Sequence, residues 1–343
     1  MENIEQKKTS FFDRKFRITE KGSSIKTEIV AGLTTFLAMA YILVVNSGLF
    51  AKLGSVSLDA MYVTTALSAV IGTVLIGLLA NLPLAQAPGM GLNAFFVYTV
   101  CFSLGFTYAN ALVFVLLDGL IFVALTLTGL RKIIFEAIPP VVKAAIPAGI
   151  GLFIAFLGLQ DAKIVIPHET TGVTLASFNL LGGASWGQVM PLVVAVISIL
   201  LIAILSQKKV KGSILWGILG GTVLYYLLGF TVSGFYDKFG ETFSFNPLKP
   251  FVAFGNEAFG KVFTQGFDFS AYLAKDGTSV GGLVILFITT ALAFCMVDMF
   301  DTMGTLYGAC RGGNLLETGD NGELRVPNMD KAMLADAVAT CTG

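Results

Sequence analysis

Residues 84–98 read Leu84-Ala85-Gln86-Ala87-Pro88-Gly89-Met90-Gly91-Leu92-Asn93-Ala94-Phe95-Phe96-Val97-Tyr98. The run is apolar enough to sit in a bilayer, yet Pro88, Gly89 and Gly91 interrupt its middle. A simple anchoring helix has no use for such a break. Hydrocarbon tolerates non-helical backbone only where the freed N–H and C=O groups line a cavity or meet a ligand, because each orphan group is costly there. The interruption therefore points to a binding site inside a membrane transporter.

Composition agrees. Of 343 residues, 55% are hydrophobic and 13% charged, the mean hydropathy is +0.81, and soluble domains average roughly 25% charged residues. A soluble multi-domain protein is excluded. Formal net charge is zero and the basic residues gather at the ends of apolar runs, so no nucleic-acid surface is indicated. Cys101, Cys295, Cys310 and Cys341 lack metal-ligand or disulfide spacing and read as small buried residues. No metal or cofactor is implied. The first 24 residues are polar and basic, without a signal-peptide pattern, so the first span serves as the insertion signal.

A span needs ~20 apolar residues, fewer when the helix is broken. Eight candidates fall near 27–45, 61–80, 84–101, 111–130, 144–159, 189–205, 213–232 and 281–300, and 330–343 opens a ninth. Asn81-Leu82-Pro83 is short enough to make spans two and three a tight hairpin. The sole histidine, His168, lies in a polar stretch and reads as solvated. Counting Lys and Arg on alternate sides gives sixteen against six. The majority side holds the amino-terminal segment, the 131–143 and 206–212 connections and 311–331. The amino terminus is thus expected in the cytoplasm, in a multi-pass protein of the cell (inner) membrane.

A faint internal repeat supports the count. Leu33-Thr34-Thr35-Phe36-Leu37-Ala38 matches Ile288-Thr289-Thr290-Ala291-Leu292-Ala293 at four of six positions. Spans one and eight would run in opposite directions, as an inverted repeat of seven spans requires. The second repeat is incomplete: the counterpart of the Pro88 break falls beyond Gly343.

Three carboxylates lie inside apolar spans: Asp118, Asp298 and Asp301. An ionised Asp at mid-bilayer costs ~2.5–3.5 kcal/mol even on a lenient insertion scale. Asp298 and Asp301 are three apart and share a helix face, and no Lys or Arg within a span neutralises them. At least one of the two is a candidate to carry a proton during part of a transport cycle. The plain alternative for each acid is a hydrogen bond to backbone at a helix end.

These residues carry a family resemblance. Thr34-Thr35-Phe36-Leu37-Ala38-Met39-Ala40-Tyr41-Ile42-Leu43, the break from Ala87 to Phe96, Gly149-Ile150-Gly151-Leu152-Phe153-Ile154-Ala155 and Val297-Asp298-Met299-Phe300-Asp301-Thr302-Met303-Gly304-Thr305-Leu306 resemble the AzgA-like hypoxanthine/guanine permeases of the nucleobase–cation symporter-2 group. The likeness runs from about Phe12 to Gly343. It implies an all-α polytopic fold of two inverted seven-span repeats, divided into core and gate, and purine uptake coupled to protons. The expected organisation is a cytoplasmic segment over 1–24 and a first repeat over 25–232, with core spans one to four and gate spans five to seven. A loop over 233–280 and the start of a second repeat over 281–343 follow.

The resemblance carries the family's third-span asparagine onto Asn93 and its eighth-span acid onto Asp301, since Asp301-Thr302-Met303-Gly304 parallels the Glu-x-x-Gly pattern of the wider group. A carboxylate and an amide suit an oxopurine, whose edge presents a ring N–H beside a carbonyl. The expected substrate-binding set is Asn93, Asp301, Gly91, Ala94, Phe95 and Thr302, with Asp301, Asp298 and Asp118 as proton-coupling candidates. Phe36, Phe95 and Phe96 either cover the purine ring or simply pack; Gly89 and Gly91 either admit close backbone approach or serve helix packing. Family members continue into a tenth span with a substrate-contacting glutamate, which lies outside this sequence. A truncated, non-transporting fragment is therefore the alternative reading. An anion transporter of related fold is a weaker one, because two acids beside the site repel an anion. The expected partners are a purine, a proton and the bilayer; a homo-oligomer stays open.

Overall fold

The computed structural model describes residues 11–130, 133, 139–210, 212–237, 246–274, 279–319 and 324–342. Several basic residues used for orientation, among them Lys7, Lys8, Arg131, Lys132 and Lys211, lie outside the described residues. The chain is mostly helical. It opens on α1 (Phe11–Phe16) and a turn in which the Asp13 carboxylate accepts from the Thr19 backbone N–H at 2.7 Å and from its hydroxyl at 2.8 Å. Those bonds hold Asp13 below the ordinary carboxylate range.

Span one is two helices in series, α2 (Ile25–Met39) and α3 (Tyr41–Ala51), meeting at Ala40. Span two is α4 (Leu58–Leu75), capped by the Ser57 hydroxyl and prolonged by a π turn over Ile76–Ala80. Asn81 then takes a left-handed conformation, φ 54°, which ends the helix; Asn is among the few non-glycine residues that adopt it readily.

Span three differs from the apolar ruler. Residues 82–89 are not helical, and the helix begins only at α5 (Met90–Ala94), continued as a π-helix over Phe95–Ser103. The turn into span three is accordingly longer than Asn81-Leu82-Pro83. The extended stretch runs back along α4, where Gln86 N donates to Thr73 Oγ1 at 3.0 Å and Thr73 Oγ1 donates to Gln86 O at 3.1 Å. A side chain thereby meets both backbone groups that a helix would have paired.

The remaining spans are α6 (Tyr108–Leu127), α7 (Pro140–Asp161), α8 (Trp186–Gln207) and α9 (Ser213–Gly229). Three short helices follow, α10 (Lys249–Ala253), α11 (Lys261–Thr264) and α12 (Ser270–Leu273), and then α13 (Val280–Gly312) and α14 (Met329–Thr342). Helix α13 runs twelve residues past the apolar stretch 281–300. Its 33 residues, at about 1.5 Å each, exceed a hydrocarbon layer of ~30 Å. Among the described residues the polar stretches carry two small antiparallel strand pairs, Val165–His168 with Gly172–Leu175 and Glu317–Thr318 with Leu324–Arg325. His168 is exposed on the first, its Nδ1 against the Thr170 and Thr171 hydroxyls.

Among the described residues, five helical stretches are long and apolar enough to cross a bilayer, and Met90–Ser103, Ala148–Asp161 and Ser213–Gly229 are shorter apolar helices. Large apolar side chains remain exposed along them, Leu33, Val70, Leu152, Leu200 and Ile285 for instance, as expected where lipid is the solvent. Inside, aromatic rings knit α3, the span-three helix, α6 and α13 together. Phe50 lies 5.2 Å from Phe96, Phe96 5.8 Å from Tyr108, and Phe114 stacks on Phe294 at 6.2 Å. Helix α14 packs on α6 and α4. A Cβ on Gly119 would come within 3.0 Å of the Cys341 backbone nitrogen, so only glycine fits that crossing.

At one end, the stretch 246–274 ties spans two and four. Glu257 accepts from Ser57 N at 2.6 Å, Lys249 pairs with Asp59 at 2.9 Å, and Asn110 donates to the carbonyls of Gly266 and Asp268, both at 2.8 Å.

Candidate functional site

The break in span three opens onto a cavity of about 430 Å³ between α3, α4, the extended stretch, α13 and α14. Gly89 precedes α5 in an extended conformation and no side chain caps that helix. The first turn of α5 therefore starts at the cavity wall, where Gly89, Met90 and Leu92 line it, with first N–H groups that no side chain caps among the described residues. Asp301 of α13 meets this point: a Cβ built on Gly89 would stand 2.5 Å from Asp301 Oδ2. The absence of a side chain at Gly89, one residue before the helix, is what admits the carboxylate.

Among the described residues nothing donates a hydrogen bond to the Asp301 carboxylate; its electrostatic neighbour is Asp336 of α14. Asp336 is held from two sides, accepting from Gln86 Nε2 at 2.7 Å and from Thr302 Oγ1 at 2.8 Å. The broken strand, α13 and α14 are thus joined at one carboxylate. Asp298 is buried and lines the same cavity.

Asn93, one turn into α5, also lines the cavity. Its Nδ2 donates to Asn46 Oδ1 at 2.7 Å, Asn46 Nδ2 donates to Thr65 Oγ1 at 2.9 Å, and Thr65 Oγ1 donates to the Met61 carbonyl at 2.7 Å. Asn46 and Thr65 are both almost fully buried.

Of the residues singled out from the sequence, Asn93, Asp301, Asp298 and Thr302 gather around this cavity, together with Gly89 and Phe96. Gly91, Ala94 and Phe95 do not line it. Ala94 is buried, and Phe95 packs edge-on against Phe294 at 5.0 Å. Phe36 faces a separate apolar groove beside α2. Asp118 is fully buried away from the cavity, near Cys295. The close approach to the break is made at Gly89, one of the two glycines read as able to admit it.

Asp336, Gln86, Asn46 and Thr65 are the polar residues that sequence reasoning passed over. Asp336 satisfies the same test that selected Asp118, an acid in an apolar run, applied to 330–343. The other three are ordinary polar residues until their partners, 250, 47 and 19 residues away, are known.

No basic residue is among the cavity's described lining. Comparison with known proteins gives a setting for this geometry. A model of the permease family matches residues 26–343, almost the whole chain. This chain is a member of that permease family. It is similar to the guanine/hypoxanthine permease PbuO of Bacillus subtilis, 35% identical over 96% of this chain and 68% of the relative. It is also similar to the putative permease MJ0326 of Methanocaldococcus jannaschii, 36% identical over 97% and 67%, and to the guanine/hypoxanthine permease PbuG of Bacillus subtilis, 34% identical over 96% and 68%. The chain spans about two thirds of the length of these relatives. The family and these relatives are permeases rather than enzymes. The permease is a multi-pass membrane protein.

Proposed function

We propose that this permease takes up purine nucleobases, hypoxanthine or guanine first and adenine as a further cargo, by proton symport. The observation that carries the reading is the Asp301 carboxylate, without a donor among the described residues, set against the start of α5 in a cavity shared with Asn93. An oxopurine edge offers ring N–H donors to that carboxylate and a carbonyl to the first N–H groups of α5. Charge-assisted hydrogen bonds of this kind contribute about 1.5–3 kcal/mol each. The names of PbuO and PbuG support the cargo. An anion would meet carboxylates and no basic side chain among the described lining, so the related anion transporters are a poor fit.

Proton coupling rests on Asp298 and Asp301, two carboxylates of one helix that line the same cavity. The organisation that fits is a first inverted repeat over 25–232 and the start of a second over 281–343, with the amino terminus in the cytoplasm of an inner-membrane protein, as the Lys and Arg count favours. The test is uptake of labelled hypoxanthine by the full natural chain in a host lacking purine uptake. Guanine is expected to compete, sulfate not to, and Asp301→Asn to abolish uptake while membrane insertion stays normal. Normal uptake by Asp301→Asn, or competition by sulfate, overturns the assignment.

A further inference from the structure

We infer that Thr65 and Asn46 are positioning residues that fix the Asn93 amide with its oxygen toward the cavity, making Asn93 an acceptor for a cargo N–H. The inference deepens the purine reading and rests on it. An asparagine amide presents a donor face and an acceptor face of nearly equal shape, so only its partners decide which face points where. Here the decision begins at the Met61 backbone carbonyl, which only accepts. The Thr65 hydroxyl donates to the Met61 backbone carbonyl at 2.7 Å, and with its single proton on that bond it accepts from Asn46. Asn46 must therefore turn Nδ2 to Thr65, at 2.9 Å, which leaves Oδ1 to face Asn93. Asn93 must in turn offer Nδ2 to Asn46, at 2.7 Å, and its Oδ1 is the face left for the cavity. Asn46 and Thr65 are 2% and 1% exposed, so water does not compete to reverse the chain, and an inverted amide would either set oxygen against oxygen in a buried site or cost the Thr65–Met61 bond.

The consequence is selectivity. A cargo that places an N–H opposite Asn93 is favoured, and one that places a carbonyl, a bare ring nitrogen or an N-methyl group there is rejected, because a site built to hydrogen-bond a group discriminates strongly against analogues without it.

The experiment measures binding of labelled hypoxanthine to the full natural chain in detergent, in competition with 1-, 7- and 9-methylhypoxanthine. Thr65→Val keeps the shape and removes the hydroxyl; Thr65→Ser restores it; Asn46→Leu breaks the chain one link later. In Thr65→Val and Asn46→Leu, hypoxanthine affinity is expected to fall roughly three- to tenfold, the equivalent of one hydrogen bond. The penalty for one of the three methyl analogues should shrink by a similar factor while the other two penalties stay. Thr65→Ser should match the original protein. A general packing defect would weaken all four ligands alike. Unchanged penalties in both Thr65→Val and Asn46→Leu, or a uniform loss that Thr65→Ser does not restore, overturn the inference while leaving purine binding intact. Failure of the unsubstituted protein to bind any of the four ligands overturns the purine reading itself. If Thr65→Val does not accumulate in the membrane, Asn46→Leu alone decides.

Discussion

Asp298 and Asp301 are three residues apart on α13 and meet different surroundings. Asp301 lies against the Gly89 backbone without a donor among the described residues, whereas Asp298 is buried to 6% exposure in the wall of the same cavity. We expect Asp301→Asn to lose cargo affinity by about ten- to a hundredfold, the value of one charge-assisted hydrogen bond. Asp298→Asn should bind nearly normally and change the pH dependence of uptake; binding isotherms together with uptake between pH 5 and 8 check both, and the opposite pattern exchanges the two roles. Asp336→Ala frees Gln86 Nε2 and the Thr302 hydroxyl at once, which should destabilise the protein by about 1–3 kcal/mol and lower its melting temperature in detergent. Asp118→Asn, remote from the cavity and beside Cys295, should alter rate or expression without reordering which purines compete. The acids of α13 were legible because a charge in an apolar run is costly wherever the chain folds. Asn46, Thr65 and Gln86 were not, since an amide or hydroxyl acquires meaning only from a partner that the fold brings near.

Helices touch here through single missing side chains. Gly119→Val places its Cβ against the Cys341 backbone and must push α14 away from α6. Overpacking of this sort costs roughly 1–3 kcal/mol, and a matching drop in thermal stability is expected. Gly89→Ala is a different case, because the group it meets is the Asp301 carboxylate at 2.5 Å; folding should survive and uptake should fail, read by uptake against surface expression. Helix α9 uses the same device, with Gly217 and Gly221 seated on Ile202 and Ser198 of α8. Hydropathy found these elements but misplaced their ends. Apolar side chains are required of membrane-embedded backbone whether it is helical or extended, so 84–89 scored like the helix it precedes. Helix α13 outlasts its apolar run because packing of Leu306 and Cys310 on Ile76 and Ala80 continues beyond it. The π-helical stretches over 76–80 and 95–103 left no sequence signal that separates them from ordinary helix.

Across the whole molecule, the order of spans was readable because the bilayer forces length and composition together, while the way spans contact one another was not. Nothing in the polar stretch 246–274 announces that Glu257, Lys249 and two of its carbonyls reach Ser57, Asp59 and Asn110. A second long-range link joins the ends of three spans. Lys52, just past α3, reaches Asp161 at the end of α7 at 2.8 Å and the Tyr98 hydroxyl at 2.9 Å. In the proposed division this bond runs between core and gate. The Lys52 and Asp161 side chains are 40% and 47% exposed, so the pair contributes at most ~1 kcal/mol to stability. Lys52→Ala should leave the melting temperature nearly unchanged and still alter the uptake rate, by easing separation of the two parts. Surface charges of this kind also feel dissolved ions, with a screening length of roughly 8 Å at 0.15 M. Added sodium chloride should therefore change the turnover of this permease even if no sodium crosses the membrane. Potassium or choline chloride should do the same, and Lys52→Ala should be insensitive to all three; only a sodium effect that persists in that variant speaks to the identity of the co-transported ion.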